Sequence, residues 1–274
     1  MDKILNFLYG TVPGRILLKG LTARPVSKAA GAFMDSAFSI PLIRPFVKKN
    51  GIDLSECETA DFRCFNDCFT RKLKPEVRPV DREGNHLISP CDGLLRVWPV
   101  QEGLVLPVKE SRYSVADLLG PGADPAPFQG GRCLVFRLCV HHYHRYCYFD
   151  SGRKGENIFL PGRLHTVQPI ALRSVPVFTE NCREVTRMET DHFGSAVQIE
   201  VGAMLVGKIR NHHGAGPMTR GEEKGMFLYG GSTIIVLLPA GSAELDPAIL
   251  RASAAGEETP VRLGERIGTG KGSR

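Results

Sequence analysis

The chain has 274 residues, 42% of them hydrophobic and 23% charged, a globular composition that excludes disorder and fibrous repeats. Its formal net charge of +6 is concentrated: residues 1–50 hold eight Lys and Arg against Asp2 and Asp35, so the rest of the chain is balanced. A basic, apolar arm on a neutral body points to an anionic surface such as a lipid headgroup layer, and away from nucleic acid, which calls for a basic face on the folded domain itself.

Residues 1–50 alternate apolar stretches with Pro13-Gly14, Pro25, Pro41 and Pro45, which predicts two or three short amphipathic helices. Ala29, Ala30, Phe33, Met34, Ala37 and Phe38 share one helical stripe, fit equally for packing on the body or for membrane contact. Arg15, Lys19, Asp35 and Arg44 interrupt the apolar runs, so none reaches the roughly 18 residues needed to span a bilayer. The opening residues lack a clustered basic region with a small-residue cleavage site after it, so no signal peptide is expected. Ser55 and Glu58 have capping-box spacing, and Phe62, Phe65, Cys68 and Phe69 then predict a helix running to about Leu73, before Pro75.

From about residue 86 short apolar runs alternate with Gly, Pro and Asp. The runs at 87–88, 94–100, 104–108, 133–140, 196–201, 204–209 and 233–238 predict strands of one mostly β domain, with a turn-rich loop at 120–131. The expected class is α+β: a membrane-associating helical segment over 1–50, a catalytic domain over 51–240, and a flexible tail over 241–274. The eight cysteines include no Cys-x-x-Cys pair and are expected to be reduced; Cys64 and Cys68 share helical spacing without a second pair of ligands.

Four clusters have chemical potential: Ser89-Pro90-Cys91-Asp92-Gly93, His141-His142-Tyr143-His144-Arg145, the stretch 162–169 with His165 inside, and Gly230-Gly231-Ser232-Thr233. Asp92-Gly93 after a proline is first of all a turn. The three close histidines lack a carboxylate or thiol at ligand spacing, so no metal is expected. Gly230-Gly231 ahead of Ser232 is either a tight turn into the strand 233–238 or a strained peptide bond presented to its own serine, and the residue pattern alone leaves both open.

Taken together, the clusters resemble the pyruvoyl-dependent phosphatidylserine decarboxylases of prokaryotic type. Phe69-Thr70-Arg71-Lys72-Leu73-Lys74-Pro75 with Arg78-Pro79 is similar to the family's F-x-R-x-L-K-P-x-x-R-P segment, the Asp92-Gly93 cluster to its P-x-D-G, and Tyr143-His144-Arg145 to its Y-H-R. Residues 201–207 (VGAMLVG) resemble its V-G-A-x-x-V-G, residues 221–225 (GEEKG) its G-E-E-x-G, and Gly231-Ser232-Thr233 its G-S-T processing site. These six motifs fall in the family's order over about residues 60–240. The sequence departs from the pattern where many members continue Y-H-R-x-H: here Tyr146 is followed by Cys147, and His142 occupies the Asp-like position before the tyrosine.

The resemblance implies a proenzyme that cleaves itself between Gly231 and Ser232 into a large and a small chain, with Ser232 becoming a covalent pyruvoyl group that forms a Schiff base with the substrate amine. His144 would be the base, with His165 as the alternative, and Asp92 would orient the imidazole as in a hydrolase triad. The implied reaction is decarboxylation of phosphatidylserine to phosphatidylethanolamine in phospholipid biosynthesis, by a protein lying peripherally on the cytoplasmic side of the cell membrane. A pyruvoyl decarboxylase of a soluble amino acid would cleave identically without needing the basic arm, and a catalytically silent membrane-surface protein of the same fold would not cleave at all.

Overall fold

In a computed structural model, the structure describes residues 7–21, 24–101, 104–108, 111–163, 165, 177–203, 208–229 and 232–270. Its body is an eight-stranded antiparallel sheet, with the expected α+β organisation of short leading helices and a mostly β domain. In sheet order the strands are β11 (Gly216–Met218), β7 (Gly152–Leu160), β8 (Arg183–Thr190), β9 (Gly194–Val201), β13 (Ser232–Leu238), β5 (Arg132–Leu138), β2 (Gly93–Pro99) and β15 (Thr259–Val261). Two three-stranded sheets flank it: β1 (His86–Ile88), β16 (Arg266–Gly270) and β14 (Ala243–Leu245) form one, and β10 (Ile209–Asn211), β12 (Glu223–Phe227) and β6 (Arg145–Cys147) the other. A separate hairpin pairs β3 (Leu104–Val108) with β4 (Ser111–Ser114).

Strand β13 explains the layering. Every one of its residues is buried, as its unbroken apolar run requires when both faces of a strand are covered. Side chains alternate across a strand, so Ile234, Val236 and Leu238 enter one core with Leu134, Phe136 and Ile267, while Ile235 and Leu237 enter a second with Val135, Val197 and Leu118.

The segment ahead of residue 51 forms α1 (Val12–Leu21), α2 (Arg24–Met34), a 3-10 turn over Ala37–Leu42 and α3 (Ile43–Asn50), which Gly51 ends in the left-handed region at φ 62°. Much of the expected stripe is uncovered, with Phe33 exposed and Phe38 85% exposed. Among the described residues no helix is long and apolar enough to cross a membrane.

The expected helix ending at Leu73 is shorter in the structure. Cys57 bridges Leu73 in antiparallel fashion and the Glu58 amide donates to the Lys72 carbonyl at 2.8 Å, so the chain doubles back and only α4 (Phe65–Phe69) remains helical. Glu58 therefore belongs to this bridge, and Cys64 Sγ caps α4 by accepting from the Asp67 amide at 3.4 Å. The expectation of a flexible tail over 241–274 is also corrected: β14, α5 (Pro247–Ala254), β15 and β16 fill residues 243–270, and Leu245, Ile249 and Ile267 belong to the core. These strands pair with β2 and β1, which puts the tail inside the same body as the preceding domain. Of the strand expected at 204–209, residues 204–207 lie outside the described residues and Ile209 opens β10.

Candidate active site

Ser232 is the first residue of β13 and pairs with Leu138 at the end of β5. The chain leaving β5 turns at Cys139, where the His142 amide donates to the Cys139 carbonyl at 2.9 Å, and returns through His144 into β6. This turn puts His144 Nδ1 3.2 Å from Ser232 Oγ, with both residues fully buried. His144 Nε2 lies 3.0 Å from the Cys139 carbonyl oxygen. A carbonyl only accepts, so Nε2 carries the proton and Nδ1 presents its lone pair to the serine hydroxyl. Phe69 of α4 covers the imidazole with ring centroids 4.1 Å apart. Burial brings the His144 pKa down to about 3; the Cys139 hydrogen bond opposes the shift, while the Arg71 charge and His142 and His141 reinforce it. The ring is therefore neutral at physiological pH, as a general base must be.

Asp92 does not orient this histidine. Arg78 grips its carboxylate from two nitrogens, with Nη2 2.6 Å from Oδ2 and Nε 2.8 Å from Oδ1, and the Leu263 amide donates to Oδ1 at 2.9 Å. The expected triad geometry is replaced by a dyad whose orienting acceptor is a backbone carbonyl. His142 faces away from the serine: its Nδ1 accepts from the Cys139 amide at 3.0 Å, and burial brings its pKa down to about 4, with His141 reinforcing and the Asp92 charge opposing.

His165 is buried elsewhere. Its amide donates to Asn181 Oδ1 at 2.9 Å, Asn181 Nδ2 donates back to its carbonyl at 2.8 Å, and its ring lies between Tyr9 and Glu180. Among the described residues no hydrogen bond joins it to His144 or Ser232. Cys147 is a buried thiol in β6 that burial pushes up to about 12, and its amide donates to the Pro90 carbonyl at 2.8 Å. Gly231 lies outside the described residues.

The sequence motifs converge through contacts that their spacing does not reveal. Arg145 Nε donates to the Thr70 carbonyl at 2.8 Å while its Nη1 lies 2.7 Å from Glu223 Oε1, tying three motifs together. Gly225 fits because any Cβ there would meet the Arg210 carbonyl and the Tyr146 hydroxyl. Next to it, Lys224 Nζ is fully buried and donates to both Glu200 oxygens at 2.8 and 2.9 Å and to Asn211 Oδ1 at 2.7 Å. Ahead of Ser232 the chain is held at Tyr229, whose amide donates to Asn66 Oδ1 at 2.9 Å and whose ring packs edge-on against Phe65 and Phe69. Asn66 Nδ2 in turn donates to Asp35 Oδ1 at 2.7 Å, and Ser39 Oγ accepts from the Phe65 amide at 2.8 Å. The arm ahead of residue 51 thus reaches the segment preceding the serine through α4. Asn66, which no motif singled out, has only its place beside Phe65 as a signal.

A family model described as phosphatidylserine decarboxylase matches residues 65–269. The chain is 43% identical to "Phosphatidylserine decarboxylase proenzyme 2" of Clostridium acetobutylicum over 96% of its own length and 91% of the relative. It is 39% identical to a phosphatidylserine decarboxylase proenzyme of Ruminiclostridium cellulolyticum, over 97% of the chain and 91% of that relative. A Clostridium botulinum proenzyme of the same name is 38% identical over 98% of the chain and 94% of the relative.

Proposed function

The chain belongs to the phosphatidylserine decarboxylase family, and from that premise we propose that it is a proenzyme that cleaves itself between Gly231 and Ser232 and then decarboxylates phosphatidylserine. The observation that carries this reading is the 3.2 Å approach of Ser232 Oγ to the unprotonated nitrogen of a neutral, buried histidine.

His144 Nδ1 takes the hydroxyl proton as Ser232 Oγ attacks the carbonyl carbon of residue 231. The same proton goes to the departing nitrogen of residue 232, so the peptide becomes an ester and no net charge is left in the dry site. A histidine held at a low pKa surrenders that proton readily. Removal of the residue 232 Cα proton then breaks the Cβ–O bond, freeing residue 231 as a carboxylate and leaving dehydroalanine. Water converts the dehydroalanine to a keto acyl group with loss of ammonia. The starting groups fit this outcome: a hydroxyl at the head of a strand, facing one base, with apolar Phe69 excluding bulk water.

The pyruvoyl group supplies an electron sink for the pair left behind by carbon dioxide, the service that pyridoxal phosphate performs in other decarboxylases. His144, its serine partner consumed, keeps Nδ1 at this position, where it would take a proton from the substrate's ammonium group and hand it on to the substrate Cα, while the Cys139 carbonyl fixes the ring.

The substrate is a bilayer lipid, and the arm fits a peripheral site on an anionic, cytoplasmic membrane face. Phe33, Phe38, Ile40 and Leu42 are exposed together with Arg44, Lys48 and Lys49. Apolar side chains would enter the interface, and each nearby cation adds about 1 kcal/mol.

Intact mass measurement of purified protein tests the chemistry. Pieces of 231 and 43 residues are expected, the smaller lighter by one ammonia, and Ser232→Ala should remain whole. A wild-type chain still full length after prolonged incubation at neutral pH would overturn the reading.

A further inference from the structure

A cleft of about 970 Å³ is lined by Arg71, Asp92, His142, Tyr143, Val261 and Leu263. His142 and Tyr143 connect it directly in the chain to His144. Two of the carboxylates that line it are held in ion pairs, Asp92 by Arg78 and Asp81 by His86. Arg71 is different. Its side chain is 94% buried, yet Nη2 makes the one bond, 3.1 Å to the His141 carbonyl, while Nε and Nη1 have no partner. Among the described residues no carboxylate pairs with it. A guanidinium removed from water without a counter-charge is costly, and orphaned buried donors are rare in native proteins. Its planar fork suits two oxygens of one anion.

We propose that Arg71 binds the phosphodiester of the lipid headgroup in this cleft. The inference rests on the decarboxylase reading above. A serine phospholipid offers two oxyanions, the phosphodiester and the carboxylate, with the same appeal to a guanidinium. The chemistry favours the first. The carboxylate must leave as neutral carbon dioxide, and a cation clamped on it would stabilise the ground state more than the transition state, slowing the reaction. The phosphodiester keeps its charge throughout, so gripping it positions the reacting end without penalty. The bulk of the cleft is ample for a headgroup, and its lining includes the exposed Arg262 and Arg266 alongside the exposed Asp53 and Glu265.

The test uses full-length Arg71→Gln and Arg71→Lys, with cleavage read first by intact mass so that only matured protein is assayed. Wild-type protein that matures and decarboxylates establishes the underlying reading independently of either variant. The expected result for Arg71→Gln is a KM for detergent-dispersed phosphatidylserine raised roughly 10- to 100-fold with kcat changed little, and a smaller rise for Arg71→Lys. Inhibition by glycerophosphoserine and by glycerophosphoethanolamine separates the two oxyanions, because the second has the phosphodiester and lacks the carboxylate. Equal weakening of both inhibitors is expected. Weakening of glycerophosphoserine alone would move Arg71 to the carboxylate and overturn the proposal. An unchanged KM, or an Arg71→Lys chain that does not mature, would overturn it as well by giving the guanidinium a structural task.

Discussion

Strand β13 and the helices ahead of residue 51 treat their side chains in opposite ways. Every residue of β13 is buried between two cores, and its first residue meets a histidine that water does not reach. The leading helices leave Phe33, Phe38, Ile40 and Leu42 in solvent and touch the body through polar contacts, such as Asp35 to Asn66 and Ser39 to Phe65, and through Phe46, whose ring packs on Phe65 and Phe69. Self-cleavage needs two atoms held within a fraction of an ångström, which close packing and hydrogen-bonded strands provide. Meeting a bilayer needs apolar and basic surface that is not yet used up. One chain supplies both by keeping them on different elements, joined through the short helix α4.

The sharpest way to break this division is at the base. His144→Ala should slow cleavage between 231 and 232 by about 10²- to 10⁴-fold, the usual worth of a positioned general base, whereas His165→Ala should cleave at the wild-type rate; gel-resolved time courses of both variants decide this. If the two results came out reversed, the base would have to be reassigned to His165.

Asp92→Asn probes the lining of the cleft. Since Asp92 holds Arg78 and the Leu263 amide and does not touch His144, its loss should act through stability. Stripping the charge from one partner of a largely buried ion pair costs about 3–5 kcal/mol. Urea unfolding measured in the uncleavable Ser232→Ala background should register that loss. Unaltered stability combined with abolished cleavage would restore Asp92 to the reaction itself.

The smallest effect on chemistry belongs to the arm. Phe33→Ser with Phe38→Ser should leave cleavage intact and weaken co-sedimentation with anionic vesicles by about tenfold, given about 1.5–3 kcal/mol for fully burying one such side chain and partial immersion here. Equal sedimentation of variant and wild type would place the membrane contact elsewhere.

The residues of the dyad were legible in the sequence because their motifs are local and chemically specific. The group that orients His144 was not, because the Cys139 carbonyl belongs to the backbone and leaves no mark on residue choice. Asp92 read as the third member of a triad through the resemblance of its Pro-x-Asp-Gly motif, which does not show that the carboxylate is taken up by Arg78 and the Leu263 amide. Residues 241–274 read as loose since β14 and β15 have three residues each and β16 contains two glycines, too little for a periodic signal. Their stability comes from pairing with β1 and β2, more than 150 positions earlier in the sequence. The strands β7 and β8 escaped notice through their polar content, which Lys154 illustrates: it is buried, and its Nζ donates to the carbonyls of Gly155, His213 and Gly214.

The placement of β13 between β9 and β5 has a bearing on the lifetime of a matured protein. A break at its leading edge would leave the smaller piece threaded through the larger, supplying a central strand and the outer strands β14, β15 and β16. Nothing in the core would loosen, yet the route back from the unfolded state would change in kind. An intact chain closes its own loops, whereas two separated pieces must first find each other, at a rate set by their concentration. Maturation would therefore be a one-way passage in folding as well as in chemistry, with persistence thereafter governed by the height of the unfolding barrier.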